Sequence, residues 1–269
     1  MQRLKLEEIK QIELKILISF HNFCEKNKLI YFISYGTLLG AKRHGGFIPW
    51  DDDIDVSMPR PDFERFVALT TSSPITPEYE TCFYRDTKIT IPYPFVKIID
   101  TKTKVIEKTK SEEYCMGIWI DVFPLDGFSN NMFINKLFFF RKQFWKRLCY
   151  TYSDDLSKVT DKKKKIGKMI VMPFIKAMGL QRLFSKLEKI CLKYKYEKST
   201  YIGCTIWGDS IVELMNKSLV EPTNKILFEG IEFNAPADVP AYLTKLYGNY
   251  MQLPPENERI NHEMLAYRL

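Results

Sequence analysis

The chain has 269 residues, of which 45% are hydrophobic, and a net charge of +7 at neutral pH, enough apolar content for a buried core and too little charge for a disordered chain. No run of about 18 uncharged apolar residues occurs and no apolar segment follows the charged N-terminus, so neither a membrane span nor a secretion signal is expected. Six cysteines, at 24, 82, 115, 149, 191 and 204, lack CxxC pairing, which argues against a zinc ribbon or a small disulfide scaffold and fits a reducing cytoplasm.

In chain order, residues 3 to 28 place Ile9, Ile12, Ile16, Phe20 and Phe23 at spacings of three and four, the pattern of an amphipathic helix that packs against a sheet. Leu29 to Ser34 is an apolar run of strand length ending at Tyr35-Gly36-Thr37. Gly36 opens a turn, and Leu38, Leu39 and Ala41 suit the start of a helix. The Gly36 and Thr37 amides and the Thr37 hydroxyl are therefore expected at a helix N-terminus, where anions are favoured. Lys42, Arg43 and His44 come next, then Gly45-Gly46 and Trp50. Elsewhere a Lys-Arg pair is usually solvated and a histidine a polar loop residue; between a phosphate turn and aspartates they can contact a pyrophosphate. Trp50 serves either the core or as a lid on a base or a choline head group.

The following run, DDDID, is the densest chemistry in the chain. Ile54, Val56 and Met58 alternate with Asp53, Asp55 and Ser57 at the period of a strand, so Asp51, Asp53 and Asp55 are expected on one face and Asp52 on the other. Carboxylates stacked this way repel unless a cation lies among them, and hard oxygens one strand step apart suit Mg²⁺ or Mn²⁺ bridging to phosphate. An EF-hand is disfavoured, because its glycine is absent and Asp62 stands where its closing glutamate belongs.

Pro61 and Asp62 begin a short helix to about Leu69, and Phe95 to Glu107 reads as two strands around a polar turn, an antiparallel element beside the core pair. Gly117 to Phe123 is another strand, on which Asp121 must be paired or metal-bound. Asp126 reads as half of an Asp-Gly turn. Residues 131 to 200 hold 18 Lys and Arg against 5 Asp and Glu, a local net charge of +13 in a chain totalling +7, which leaves −6 elsewhere. With Phe and Trp interleaved, this stretch reads as basic helices that either cover the core or rest on anionic lipid; no recognised nucleic-acid motif accompanies it. YIGCTIWGDS is expected to return to the site, with Trp207, Asp209 and Glu213 as minor candidates. Phe228 to Phe233 suggests a hairpin around Glu229-Gly230, Asp238 caps a helix ending at Gly248, and the tail places Arg259 and His262 on one helix face.

A glycine-polar turn after one strand and aspartates on the next is the arrangement of the nucleotidyltransferase fold. Within it, GTLLGAKRHGGFIPWDDDID resembles the LicD family, bacterial enzymes that move phosphocholine from CDP-choline to cell-surface glycans, with the fukutin group as distant relatives that move ribitol phosphate. The match is specific over residues 29 to 58, with echoes in GIWIDVFPLDG and YGNYMQLPP and little between 128 and 230. The resemblance implies an α/β nucleotidyltransferase-like mixed sheet: residues 1 to 127 the catalytic core, 128 to 200 a basic helical insertion, and 201 to 269 completing the substrate site.

It further implies Asp51, Asp53, Asp55 and Asp121 as metal ligands for Mg²⁺ or Mn²⁺, with Asp53, Asp55 and Asp121 catalytic. Gly36, Thr37, Lys42, Arg43, His44, Trp50 and His262 are the implied substrate contacts. The implied donor is CDP-linked, CDP-choline first. The acceptor would be a hydroxyl of a glycan or lipid-linked precursor, as in teichoic acid, lipopolysaccharide or capsule, and the enzyme would be cytoplasmic, at most peripheral at the membrane. A metal-dependent glycosyltransferase shares Asp-x-Asp and would release a nucleoside diphosphate; a polynucleotide-adding enzyme would release pyrophosphate; a non-enzymatic membrane-surface module would not need the aspartates.

Overall fold

A computed structural model describes residues 2–86, 91–107, 114, 116–159, 161–208, 211–259 and 264–269. After a short strand β1 (Gln2–Arg3), helix α1 (Leu6–Asn27) buries Ile9, Ile16, Leu17, Phe20 and Cys24 along one stripe, and it stops where Lys28 turns left-handed. The chain then runs through β2 (Phe32–Ile33), α2 (Tyr35–His44), β3 (Asp55–Pro59), α3 (Arg60–Ser72), β4 (Tyr79–Cys82), β5 (Val96–Asp100), β6 (Thr103–Ile106) and β7 (Trp119–Gly127). Three helices follow, α4 (Met132–Ser153), α5 (Lys162–Met178) and α6 (Leu180–Cys191). The rest comprises β8 (Tyr201–Gly203), β9 (Met215–Asn216), the hairpin β10 (Asn224–Phe228) and β11 (Ile231–Ala235), α7 (Val239–Tyr247) and β12 (Leu265–Arg268).

The central sheet has the order β2-β3-β7-β5-β4, with β8 pairing the far end of β7 and β9 pairing β8. The fold class is thus mixed α/β, as expected. β3 and β7 are parallel and the other neighbours antiparallel. All nine residues of β7 are buried, as a strand covered on both faces must be. α1 and α3 pack on this sheet, and Phe20 and Phe66 from the two helices meet edge to face, 5.4 Å apart.

Four local expectations are corrected. The strand after the aspartate run begins at Asp55, so Asp51 and Asp53 belong to the segment that enters it. β5 lies beside β7, but β6 leaves it for a separate three-stranded sheet, β1-β12-β6. The tail is not a helix: Leu265–Arg268 pairs with β6, and Arg259 follows a single 3-10 turn. Asp126 is no turn residue. It lies on β7, where Arg60 Nε and Nη2 donate to its two oxygens at 2.7 and 2.8 Å and the Thr205 hydroxyl also donates to it; the Asp-Gly pair gave way to this buried fork.

Arg60 Nη1 also donates to Glu188 of α6 at 3.4 Å, and Arg85 ties Glu188 to Glu64. This buried network joins α3, β7 and α6. Removing one partner from a buried pair costs about 3–5 kcal/mol, because the other charge is left uncompensated. Asp126→Asn should therefore lower the urea-unfolding free energy by about that much. Arg65→Gln, which breaks an ion pair whose arginine is half exposed, should change it by less than about 1 kcal/mol.

Candidate active site

The parallel register of β3 and β7 sets Asp55 directly opposite Asp121. Their backbones are fixed independently of their charges: Asp55 N donates to Thr37 Oγ1 at 2.8 Å, Asp121 N to the Ile54 carbonyl at 2.9 Å, and Ser34 N to the Asp55 carbonyl at 3.0 Å. α2 begins beside this pair, with Ser34 as N-cap and Tyr35 at φ 47°. A Cβ on Gly36 would meet Asp51 Oδ2 at 2.8 Å, so only glycine lets that carboxylate approach the helix start. Upstream, Lys10 Nζ donates to the Ile48 and Pro49 carbonyls at 3.0 Å each, pinning the segment that leads into the aspartates.

Asp51, Asp53, Asp55 and Asp121 line one cavity of about 610 Å³. Burial, and then the charges of Asp53, Asp121 and Asp51, push the Asp55 carboxyl well above the usual carboxylate range, with Lys97 opposing. Lys97, on β5, is buried and donates to Asp121 Oδ1 at 2.6 Å; its ammonium also lies 4.0 Å from the Trp119 ring centroid and 4.3 Å from that of Tyr93. Aromatic side chains make a wall of the same cavity, among them Tyr93, Phe95 and Trp207. Tyr35 Oη, at the same cavity, donates to Glu213 Oε2 at 2.8 Å. From behind that wall, buried Lys142 and Lys146 of α4 donate to the Gly208 and Trp207 carbonyls.

Of the residues singled out from the sequence, Asp51, Asp53, Asp55, Asp121 and Gly36 meet at this cavity, and so do Trp207 and Glu213. Thr37 is buried and acts through its bond to the Asp55 amide. Lys42, Arg43, His44 and Trp50 do not line the cavity: Arg43 donates to His44 Nε2 and to the Tyr250 carbonyl, and Trp50 packs against His44 and beneath Arg259. Asp209 and His262 lie outside the described residues. Asp52 turns into the protein, where the Met264 amide donates to it. The cavity's ammonium is Lys97, which sequence reasoning passed over; its signal was a lone lysine inside the apolar strand FVKIID.

A second acidic group was also missed. Glu13 of α1 is fully buried, and neither carboxyl oxygen has a hydrogen-bond partner among the described residues. Burial, and then Asp53, Asp52, Asp51 and Asp121, push its carboxyl well above the usual range.

The chain matches the family model described as LicD/FKTN/FKRP, nucleotidyltransferase domain, over residues 28–178. It is 29% identical over 266 residues to the lipopolysaccharide cholinephosphotransferase LicD of Haemophilus influenzae, an alignment covering 98% of each chain. Shorter stretches resemble two uncharacterized proteins: 35% identity over 85 residues in Rickettsia typhi, covering 31% of this chain and 26% of that one, and 50% over 42 residues in Rickettsia prowazekii, 16% of each.

Glu13 carries a pH signature. A carboxyl whose folded pKa is raised binds more protons folded than unfolded, so its contribution to stability is full below the unfolded value and is lost as pH rises through the folded one. Asp55 acts in the same direction. Without added metal, stability should fall as pH climbs from about 5 towards neutrality, by up to about 1.4 kcal/mol per pH unit for each such group. In urea melts across that range, Glu13→Gln should flatten the slope by up to one proton and raise neutral-pH stability. An unchanged slope would mean Glu13 is ionised in the folded state.

Proposed function

The chain belongs to the LicD/FKTN/FKRP nucleotidyltransferase-domain family, and from that premise we propose that it is a phosphotransferase that moves phosphocholine from CDP-choline to a hydroxyl of a cell-surface glycan or its lipid-linked precursor. The observation that carries the reading is the convergence of Asp51, Asp53, Asp55 and Asp121 on one cavity that also holds Lys97 and the start of α2. The relative that aligns over the full length acts, by its name, on choline phosphate and lipopolysaccharide. In the proposed reaction the acceptor oxygen bonds to the phosphorus that bears choline, the anhydride bond to the cytidylate breaks, CMP leaves with the bonding electrons, and the hydroxyl proton passes to a cavity carboxylate.

The donor set fits a divalent cation in charge and ligand type. Four aspartates share the cavity, and burial, followed by the charges of Asp53, Asp121 and Asp51, pushes the Asp55 carboxyl well above the usual carboxylate range. Hard oxygens of this kind suit Mg²⁺ or Mn²⁺, although among the described residues no three acidic, histidine or cysteine side chains are gathered into a finished ligand shell. Asp51, Asp53, Asp55 and Asp121 would hold the ion. Bound there, it would neutralise the charge that develops on the transferring phosphoryl group and align the attacking and leaving oxygens.

The protein's own groups have separate tasks. Lys97 holds Asp121 in one orientation and presents N–H donors to the phosphoryl oxygens. The α2 N-terminus, which borders the cavity through Tyr35 and Gly36, offers amides and a favourable dipole to the pyrophosphate. The aromatic wall excludes water from the reacting centre, which strengthens these interactions.

Asp53→Asn and Asp55→Asn keep side-chain size and remove one negative ligand each. CMP release from CDP-choline should fall by at least about a thousandfold, since each ~1.4 kcal/mol lost is a factor of ten. The melting temperature in metal-free buffer should hold or rise, and the stabilisation given by Mg²⁺ should shrink. Asp52→Asn, which faces inward, should retain turnover within about tenfold. Near-normal turnover in Asp53→Asn and Asp55→Asn would overturn the assignment; release of a nucleoside diphosphate from a nucleotide sugar, with CDP-choline left intact, would point to glycosyl transfer.

A further inference from the structure

α4 exposes Phe133, Leu137, Phe140 and Phe144, at spacings of four, three and four, and α5 exposes Ile166, Met169, Ile170 and Phe174. Phe133, Phe140 and Phe174 are 77%, 75% and 74% accessible. These stripes are not misplaced core faces, because each helix buries its opposite side: Lys142 and Lys146 of α4 reach the carbonyls behind the cavity, and Ile175 of α5 joins the core. α6, beside them, behaves as an ordinary surface helix. Its apolar Leu183, Phe184 and Leu187 turn inward, and Arg182, Lys186 and Lys189 face water.

An apolar stripe of this extent on the outside of a soluble fold marks a contact surface, and its charge identifies the kind of contact. α4 has five basic residues and no acidic one, and α5 has six and none. Exposed Lys136, Arg141 and Arg147 flank the first stripe, and exposed Lys162, Lys163 and Lys176 the second. Between α4 and α6 lies a groove of about 350 Å³, lined by the apolar Leu137, Phe138 and Ile190 and by the cationic Arg141, Lys189 and Lys193. Apolar side chains and three cations lining one groove match the chemistry of one anionic lipid, with its phosphate on the cations and its hydrocarbon on the apolar side chains. A second copy of the chain would set one lysine-rich face against another, and a nucleic acid would leave the phenylalanines in water.

We propose that α4 and α5 dock the protein onto the surface of an anionic bilayer, with the phenylalanine stripes in the headgroup and acyl boundary and the lysines on the lipid phosphates. No helix among the described residues is long and apolar enough to cross a membrane, so the contact lies in the plane of the interface. It does not depend on the transfer reaction proposed above.

The test is flotation of the full chain with phosphatidylcholine vesicles, with and without phosphatidylglycerol. Binding should require the anionic lipid and weaken as salt screens the charge. Lys162→Gln and Lys163→Gln should each lower the partition coefficient about fivefold. The pair Phe140→Ser and Phe174→Ser should lower it by at least about tenfold, while melting temperature and CMP release with a water-soluble acceptor stay unchanged. Equal binding to both vesicle types, binding to neither, or indifference to the phenylalanine changes would overturn the proposal. So would concentration-dependent self-association abolished by Phe140→Ser, which would assign the face to a second copy. Intact flotation by a protein that releases no CMP would overturn only the proposed reaction.

Discussion

Asp55 and Asp121 face one another across two parallel strands, with Asp51 and Asp53 at the same cavity, and charge alone would drive such a group apart. The surrounding fold is arranged to hold it. Thr37 takes the Asp55 amide, Lys10 clamps the approach segment by its carbonyls, Gly36 yields space to Asp51, and Lys97 lies against Asp121. Two of these restraints, those of Thr37 and Lys10, act on the backbone and so hold whether the carboxylates are ionised, protonated or metal-bound. A site of this kind is set in advance for a cationic or phosphorylated guest, which lets binding energy go to the transferring group in place of ordering side chains.

Helix α4 is built to two rules at once. Its inner lysines end on the carbonyls of Trp207 and Gly208, the residues that wall the cavity, and its outer face carries phenylalanines and arginines. Burial, and then Lys146 nearby, depress the proton affinity of Lys142, so two long side chains were buried for position and not for charge display. The +13 of residues 131 to 200 therefore overstates what the surface shows, since part of it is spent inside.

The central constellation was legible in the sequence because carboxylate density and glycine chemistry are local, even though the strand itself begins only at Asp55. Gly36, the aspartate run and the isolated Asp121 could each be read from their neighbours, and the structure brings them together. What failed was set by distant partners. Asp126-Gly127 has the local form of a turn, yet Arg60, 66 positions earlier, makes it a buried fork. The polar turn after β5 suggested a hairpin, but the pairing of β6 depends on the chain's last residues. Lys42, Arg43 and Trp50 sit close to the aspartates in sequence but do not line the cavity in space: the first two lie on the last turn of α2, whose first turn borders it, and Trp50 packs against His44 and Arg259. Lys97 escaped notice for the converse reason: its partner is 24 positions away.

The Arg60 network and the inner lysines of α4 also bear on how this protein can be divided. Excising the three central helices to obtain a minimal catalytic unit looks attractive from the charge profile. The cut would strip Arg60 and Arg85 of Glu188 and leave the Trp207 and Gly208 carbonyls without their ammonium donors. The remaining fragment would keep every aspartate of the cavity and lose the support behind Trp207 and Gly208. Trimming that preserves the cavity must leave α4 and α6 in place, and surface engineering of these helices has only their outward sides to work with.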